Sequence, residues 1–178
     1  MPIKLNGTTI NNGDTCTFNG NNVTKIVWSS GGTNYTVWEA KQQYFPDGLT
    51  YSTGGAGASM SSVTSTKLTA KCDGSSYTNA NCHPSTTVNL TNISSIKFTV
   101  DNITKSGNAE VTVGVCKTQN PNNFASYANN SGKGLAVTST GTKTLDVSDL
   151  TGTGYYICIS VWGSTGGAEI GVTQIVEG

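Results

Sequence analysis

Tyr155-Tyr156-Ile157-Cys158-Ile159-Ser160-Val161-Trp162 alternates between two sets of side chains. On an extended chain Tyr155, Ile157, Ile159 and Val161 share one face, and Tyr156, Cys158, Ser160 and Trp162 share the other. A period of two, rich in β-branched and aromatic residues, predicts a strand with one face in a core. The same alternation recurs upstream. Ile96, Phe98 and Val100 oppose Lys97, Thr99 and Asp101, while Val111, Val113 and Val115 oppose Thr112, Gly114 and Cys116. Further strands are expected over 63–70, 86–90, 135–138, 143–147 and 168–176, separated by turns such as Ser139-Thr140-Gly141 and Thr151-Gly152-Thr153-Gly154. Strands of this length and spacing predict an all-β fold, an antiparallel jelly-roll-like β-sandwich.

Composition agrees. Roughly half of the residues are Thr, Ser, Asn or Gly, and long runs of helix formers are missing. Ten lysines balance ten acidic residues, with no arginine. A nucleic-acid partner calls for basic excess and arginine forks, so DNA and RNA are not expected; an anionic membrane surface is disfavoured for the same reason. Met1-Pro2-Ile3-Lys4-Leu5 holds no apolar signal-peptide core, and no stretch approaches the roughly eighteen apolar residues of a membrane span. A soluble product made in a cytoplasm, able to leave by cell lysis or by a dedicated machine, is the expectation. Five cysteines (Cys16, Cys72, Cys82, Cys116 and Cys158) leave at least one unpaired. Cys72 and Cys82 flank a Gly/Ser/Asn-rich stretch and are candidates for a bridge, although reduced thiols are favoured in a cytoplasmically folded chain.

The opening forty residues repeat a short phrase: Leu5-Asn6-Gly7-Thr8-Thr9-Ile10, then Phe18-Asn19-Gly20-Asn21-Asn22-Val23, then a looser turn at Gly31-Gly32 before Val37-Trp38-Glu39. Asn-Gly between apolar residues signals a tight hairpin, because both residues tolerate positive φ. The expected organisation is a β-hairpin docking module over 1–40 and the sandwich over 41–178, with Gly54-Gly55-Ala56-Gly57-Ala58 as a flexible loop. Asn6, Gly7, Asn19 and Gly20 form the module's turns. Trp28 and Trp38 close hairpins and are expected as its packing anchors.

The segments Leu5-Asn6-Gly7, Phe18-Asn19-Gly20, Lys25-Ile26-Val27-Trp28 and Val37-Trp38-Glu39 resemble the opening of many structural proteins of tailed bacteriophages. The remainder is similar to jelly-roll modules of phage tail, fibre and decoration proteins and to carbohydrate-binding modules of the galactose-binding type. The resemblance implies a virion location, with capsid or tail proteins as partners and several copies or a homo-oligomer on the particle.

Residues of the types that carry chemistry are sparse. His83, the single histidine, follows Cys82, but adjacent side chains on an extended strand point apart, which disfavours a Cys-His nucleophile. Cys72, Asp73, Cys82 and His83 match no familiar zinc spacing. Asp146 and Asp149 are close in sequence, but in a turn, where capping is the ordinary role. No metal, cofactor or catalytic residue is assigned. Tyr156 and Trp162, on the outward face by alternation, are candidate glycan platforms, against a subunit interface or a second-layer core. Phe124 and Tyr127, with Asn122 and Asn123, form a second candidate patch, against a lid over the core. The expectation is a non-enzymatic virion protein, a tail or fibre adhesion module with weak glycan binding. Capsid decoration is the alternative, and a fragment of a carbohydrate-active enzyme comes third.

Overall fold

The computed structural model describes residues 3–5, 8–10, 16–18, 21–23, 25–57 and 59–178, which divide between two compact units, Met1–Gln42 and Gln43–Gly178. Among the described residues, the first holds three two-stranded antiparallel hairpins: β1 (Ile3–Leu5) with β2 (Thr8–Ile10), β3 (Cys16–Phe18) with β4 (Asn21–Val23), and β5 (Lys25–Ser30) with β6 (Thr33–Glu39). Leu5 pairs with Thr8 and Phe18 with Asn21. Asn6, Gly7, Asn19 and Gly20 lie outside the described residues, as does the side chain of Trp38. In the third hairpin Gly31 and Gly32 both have positive φ, the backbone that a two-residue reversal with matching twist requires. Trp28 is not the packing anchor expected. It is 57% exposed, with Tyr35 beside it at 5.4 Å between ring centroids.

The second unit contains β7 (Gln43–Phe45), β8 (Tyr51–Ala56), β9 (Ser59–Val63), β10 (Leu68–Cys72), β11 (Thr78–Pro84), β12 (Ser95–Lys105), β13 (Glu110–Cys116), α1 (Phe124–Asn129), β14 (Lys133–Ala136), β15 (Gly141–Asp146), β16 (Tyr156–Gly163) and β17 (Ala168–Glu177). It is an antiparallel jelly-roll-like sandwich. One sheet runs β15-β12-β17-β10-β9, with β7 also pairing β17; the other runs β14-β13-β16-β11-β8. Most connections pass from one sheet to the other, so the chain wraps around a single core. Ile96, Phe98, Leu68, Ile170 and Ile175 from one sheet meet Ile157, Ile159, Val113, Val115 and Ala80 from the other, all fully buried. Each such apolar side chain contributes about 1.5–3 kcal/mol. In β17 the inward phase passes from Val172 to Ile175 across a bulge, where Thr99 pairs with Gln174 but Val100 with Val172.

Two expectations need correction. Gly54 to Ala56 belong to edge strand β8 rather than to a flexible loop. The 86–90 segment is no full strand: it is held by a bridge between Val88 and Tyr155 and by Leu90 N–H donating to the Gly152 carbonyl at 2.9 Å, while 78–84, between the two central cysteines and beyond, is the full strand β11. Cys72 and Cys82 sit on different sheets, each buried and free.

The outward face of β13 and β16 is itself covered. Thr112, Gly114, Cys116, Cys158 and Ser160 are buried beneath the segment containing α1. Asn123 caps this short helix: its Oδ1 accepts from the Ser126 N–H at 3.0 Å, and Ser126 Oγ accepts from the Asn123 N–H at 3.4 Å. Tyr127 is the anchor. A Cβ on Gly114 would lie 2.7 Å from its ring, so glycine is what lets the ring seat against the strand. Its hydroxyl donates to the Cys158 carbonyl at 3.3 Å and meets Ser160 Oγ at 3.1 Å.

Candidate functional site

β11 reads Thr78-Asn79-Ala80-Asn81-Cys82-His83-Pro84. Ala80 and Cys82 enter the core, so Asn79, Asn81 and His83 share the outer face. Register places Asn79 between Trp162 and Ala56, and Asn81 between Ser160 and Gly54. Asn120 and Asn122 rise from the connection between β13 and α1. The result is an open groove of about 400 Å³, lined by Gly54, Asn79, Asn81, His83, Asn120 and Asn122 among others.

Asn81 forms its floor. The residue is fully buried, yet neither Oδ1 nor Nδ2 has a hydrogen-bond partner. Leaving such groups unsatisfied costs about 1–3 kcal/mol each. Ser160, directly opposite, is engaged with Tyr127. Gly54 is required by close approach: a Cβ there would stand 2.3 Å from Asn120 Oδ1 and 2.8 Å from Asn81 Oδ1. Two amides thus converge over a strand position without a side chain.

Beside the groove stands an aromatic pair. Trp162, half-buried opposite Asn79, lies 6.2 Å from the ring of Tyr77, with the planes tilted by 53°. Tyr77 is 73% exposed and holds a left-handed backbone at φ +43°, unusual for a bulky side chain. The turn that presents it is braced by Gly74 N–H donating to Thr78 Oγ1 at 2.9 Å and Ser75 N–H donating to Asp73 Oδ1 at 3.0 Å. The two Ser75 hydrogen bonds also hold the Asp73 carboxyl below its usual range.

Of the residues singled out from sequence, Trp162 and Asn122 belong to this site. Phe124 is exposed, on α1. Tyr127 is wholly buried as an anchor, and Asn123 is the helix cap, so neither is free to meet a ligand. Tyr156 is half-buried against Cys116, Tyr127 and Cys158. Six residues along the strand put it about 20 Å from Trp162, too far to share a sugar ring with it. Asn79, Asn81, His83, Asn120 and Tyr77 were missed. The readable signal was the alternation of Asn79, Asn81 and His83 with Ala80 and Cys82, hidden because the stretch between the cysteines resembled a loop.

Acid–base and metal arrangements are weakly furnished. Cys82 Sγ donates to the Thr69 carbonyl at 3.3 Å, and burial pushes the thiol up to about 12, while His83 faces the opposite side. Asp146 Oδ1 accepts from the Ser148 N–H at 2.9 Å and Asp149 pairs with Lys133, so the two carboxylates serve separate turns. Among the described residues no three His, Cys, Asp or Glu side chains converge on one point.

No family model and no curated protein matches the chain. Similar folds occur among solved structures at low identity. A low-affinity xylan-binding module, CBM86, from the gut symbiont Roseburia intestinalis aligns with a TM-score of 0.47 and 10% identity over 78% of this chain and 95% of that one. TmCBM61, solved in complex with β-1,4-galactotriose, aligns at 0.42 and 13% over 72% and 88%. The glycoside hydrolase domain of Endo-D from Streptococcus pneumoniae R6 aligns at 0.46 and 13% over 71% of this chain but 21% of that one.

Proposed function

We propose that the sandwich unit is a non-catalytic glycan-binding module whose ligand lies across the outer face of β8, β11 and β16. The observation that carries this is the Tyr77–Trp162 pair standing beside an amide-lined groove. Aromatic faces stack on the apolar faces of sugar rings, and amides both donate to and accept from hydroxyls. No carboxylate lines the groove, which favours binding over glycoside hydrolysis. An open, shallow groove suits weak binding, which repeated copies convert into avidity. On this reading the N-terminal unit is the attachment part of a phage tail or fibre protein, so the chain works on a virion. That role is supported by the resemblance of its opening phrase and by the exposed rings of Trp28 and Tyr35.

The test is affinity electrophoresis of the full chain through gels containing xylan, galactan, β-glucan or mannan. At least one polysaccharide should retard the protein, and Trp162→Ala or Tyr77→Ala should lower affinity tenfold or more at unchanged fold. Migration unaffected by every polysaccharide, or equal retardation of the alanine variants, would refute the assignment.

A further inference from the structure

The floor of the groove carries a finer inference, which rests on the glycan-binding reading. We infer that Asn81 is a specificity-determining contact that grips two neighbouring hydroxyls of an uncharged sugar residue. Asn81 is unpartnered and part of the groove lining, and because its amide is fully buried beside that of Asn120 over Gly54, a sugar hydroxyl reaches it when the Asn120 side chain swings aside. A side-chain amide offers one acceptor and one donor side by side. A vicinal diol answers with one hydroxyl donating to Oδ1 and its neighbour accepting from Nδ2. A lone hydroxyl satisfies only half of that demand.

Charge narrows the class. The groove residues include no Lys, Asp or Glu. Among the described residues, ion pairs such as Lys67–Asp101 at 2.8 Å and Lys71–Glu169 at 3.0 Å lie on the outer side of the other sheet. A uronate or sulfated sugar would bring its charge to a site with no lysine to meet it, so neutral sugars are favoured. Spacing supports a chain rather than a single sugar. Asn81 lies two residues along β11 from Asn79, which faces Trp162. That offset is about 7 Å. A ring stacked on Trp162 therefore leaves the next residue of the chain over Asn81. Gly54 keeps this second position open, since a Cβ there would collide with both amides.

The test compares the full chain with Asn81→Leu and the smaller Asn81→Ala. Each is measured against xylan, galactan and polygalacturonate by affinity electrophoresis, and each is melted by circular dichroism. A buried amide with a structural role would lower the melting temperature when removed. An amide kept for a ligand should leave it unchanged or raise it in at least one variant, while affinity for the neutral polysaccharide falls tenfold or more. Unchanged affinity in both variants, with Trp162→Ala still impaired, would overturn the Asn81 contact and leave the glycan reading standing. Polygalacturonate bound as tightly as the neutral chains would overturn the charge selectivity. Failure of every polysaccharide to bind the parent protein would remove the underlying reading and this contact with it.

Discussion

Replacing Tyr127 by phenylalanine removes one buried hydroxyl beneath α1 and leaves the ring in place. The hydroxyl has a single hydrogen, so donating it to the Cys158 carbonyl at 3.3 Å leaves an oxygen to accept from Ser160 Oγ at 3.1 Å. Both contacts are longer than the usual O–H···O spacing, which puts each at about 0.5–1 kcal/mol. Ser160 is itself buried and loses its partner, so the combined loss should be about 1–2 kcal/mol. For a unit of this size that corresponds to a fall of about 3–8 °C in melting temperature. Tyr127→Ala also removes a fully buried ring seated over Gly114 and should cost about 3–5 kcal/mol. Because the ring holds the segment that carries Asn120 and Asn122, the alanine variant should also speed amide hydrogen exchange across 117–132, and phenylalanine much less so. Thermal unfolding followed by circular dichroism, with exchange read by mass spectrometry, separates the two effects. Equal stability of Tyr127→Phe and the parent, or an alanine variant no worse than phenylalanine, would refute the anchoring role.

Alkali should destabilise the sandwich through its buried phenols. Burial raises Tyr44 to about 12 and lifts Tyr51 and Tyr127 well above the ordinary phenol. The unfolded phenols ionise near pH 10 while the folded ones stay protonated, so stability is fully present below that pH and is lost as pH rises toward 12. Phenolate absorbance near 295 nm should then rise together with unfolding; full ionisation in a still-folded protein would contradict it. Iodoacetamide at pH 8 should leave native Cys82 and Cys158 unmodified, since burial raises both thiols. Cys116, lowered by its hydrogen bond with Cys158 but buried beneath α1, should become reactive in Tyr127→Ala; labelling of Cys116 at the same rate in parent and variant would show that the helix does not shield it. Gly54→Ala should push the Asn120 and Asn81 amides off the groove floor and lower polysaccharide affinity and melting temperature together; retained affinity would show that the floor is not a contact surface.

The alternation of Tyr155 to Trp162, Ile96 to Asp101 and Val111 to Cys116 by itself determined an all-β sandwich and which side chains enter its core. It could do so because a strand's period of two is a local property, and burying one face is the dominant energy of such a fold. The same alternation assigned Tyr156, Cys158, Ser160 and Trp162 to the opposite face. It did not show that Cys158 and Ser160 lie under a helix while Tyr77 comes to Trp162 from another turn. Those are encounters between segments distant in sequence. Asn81 shows the limit plainly: within Thr78 to Pro84 it resembles any polar loop residue. Only pairing with β16 and β8 places it opposite Ser160 and Gly54, where burial leaves its amide without a partner. The fold followed from local periodicity, whereas the site was decided by which strands became neighbours.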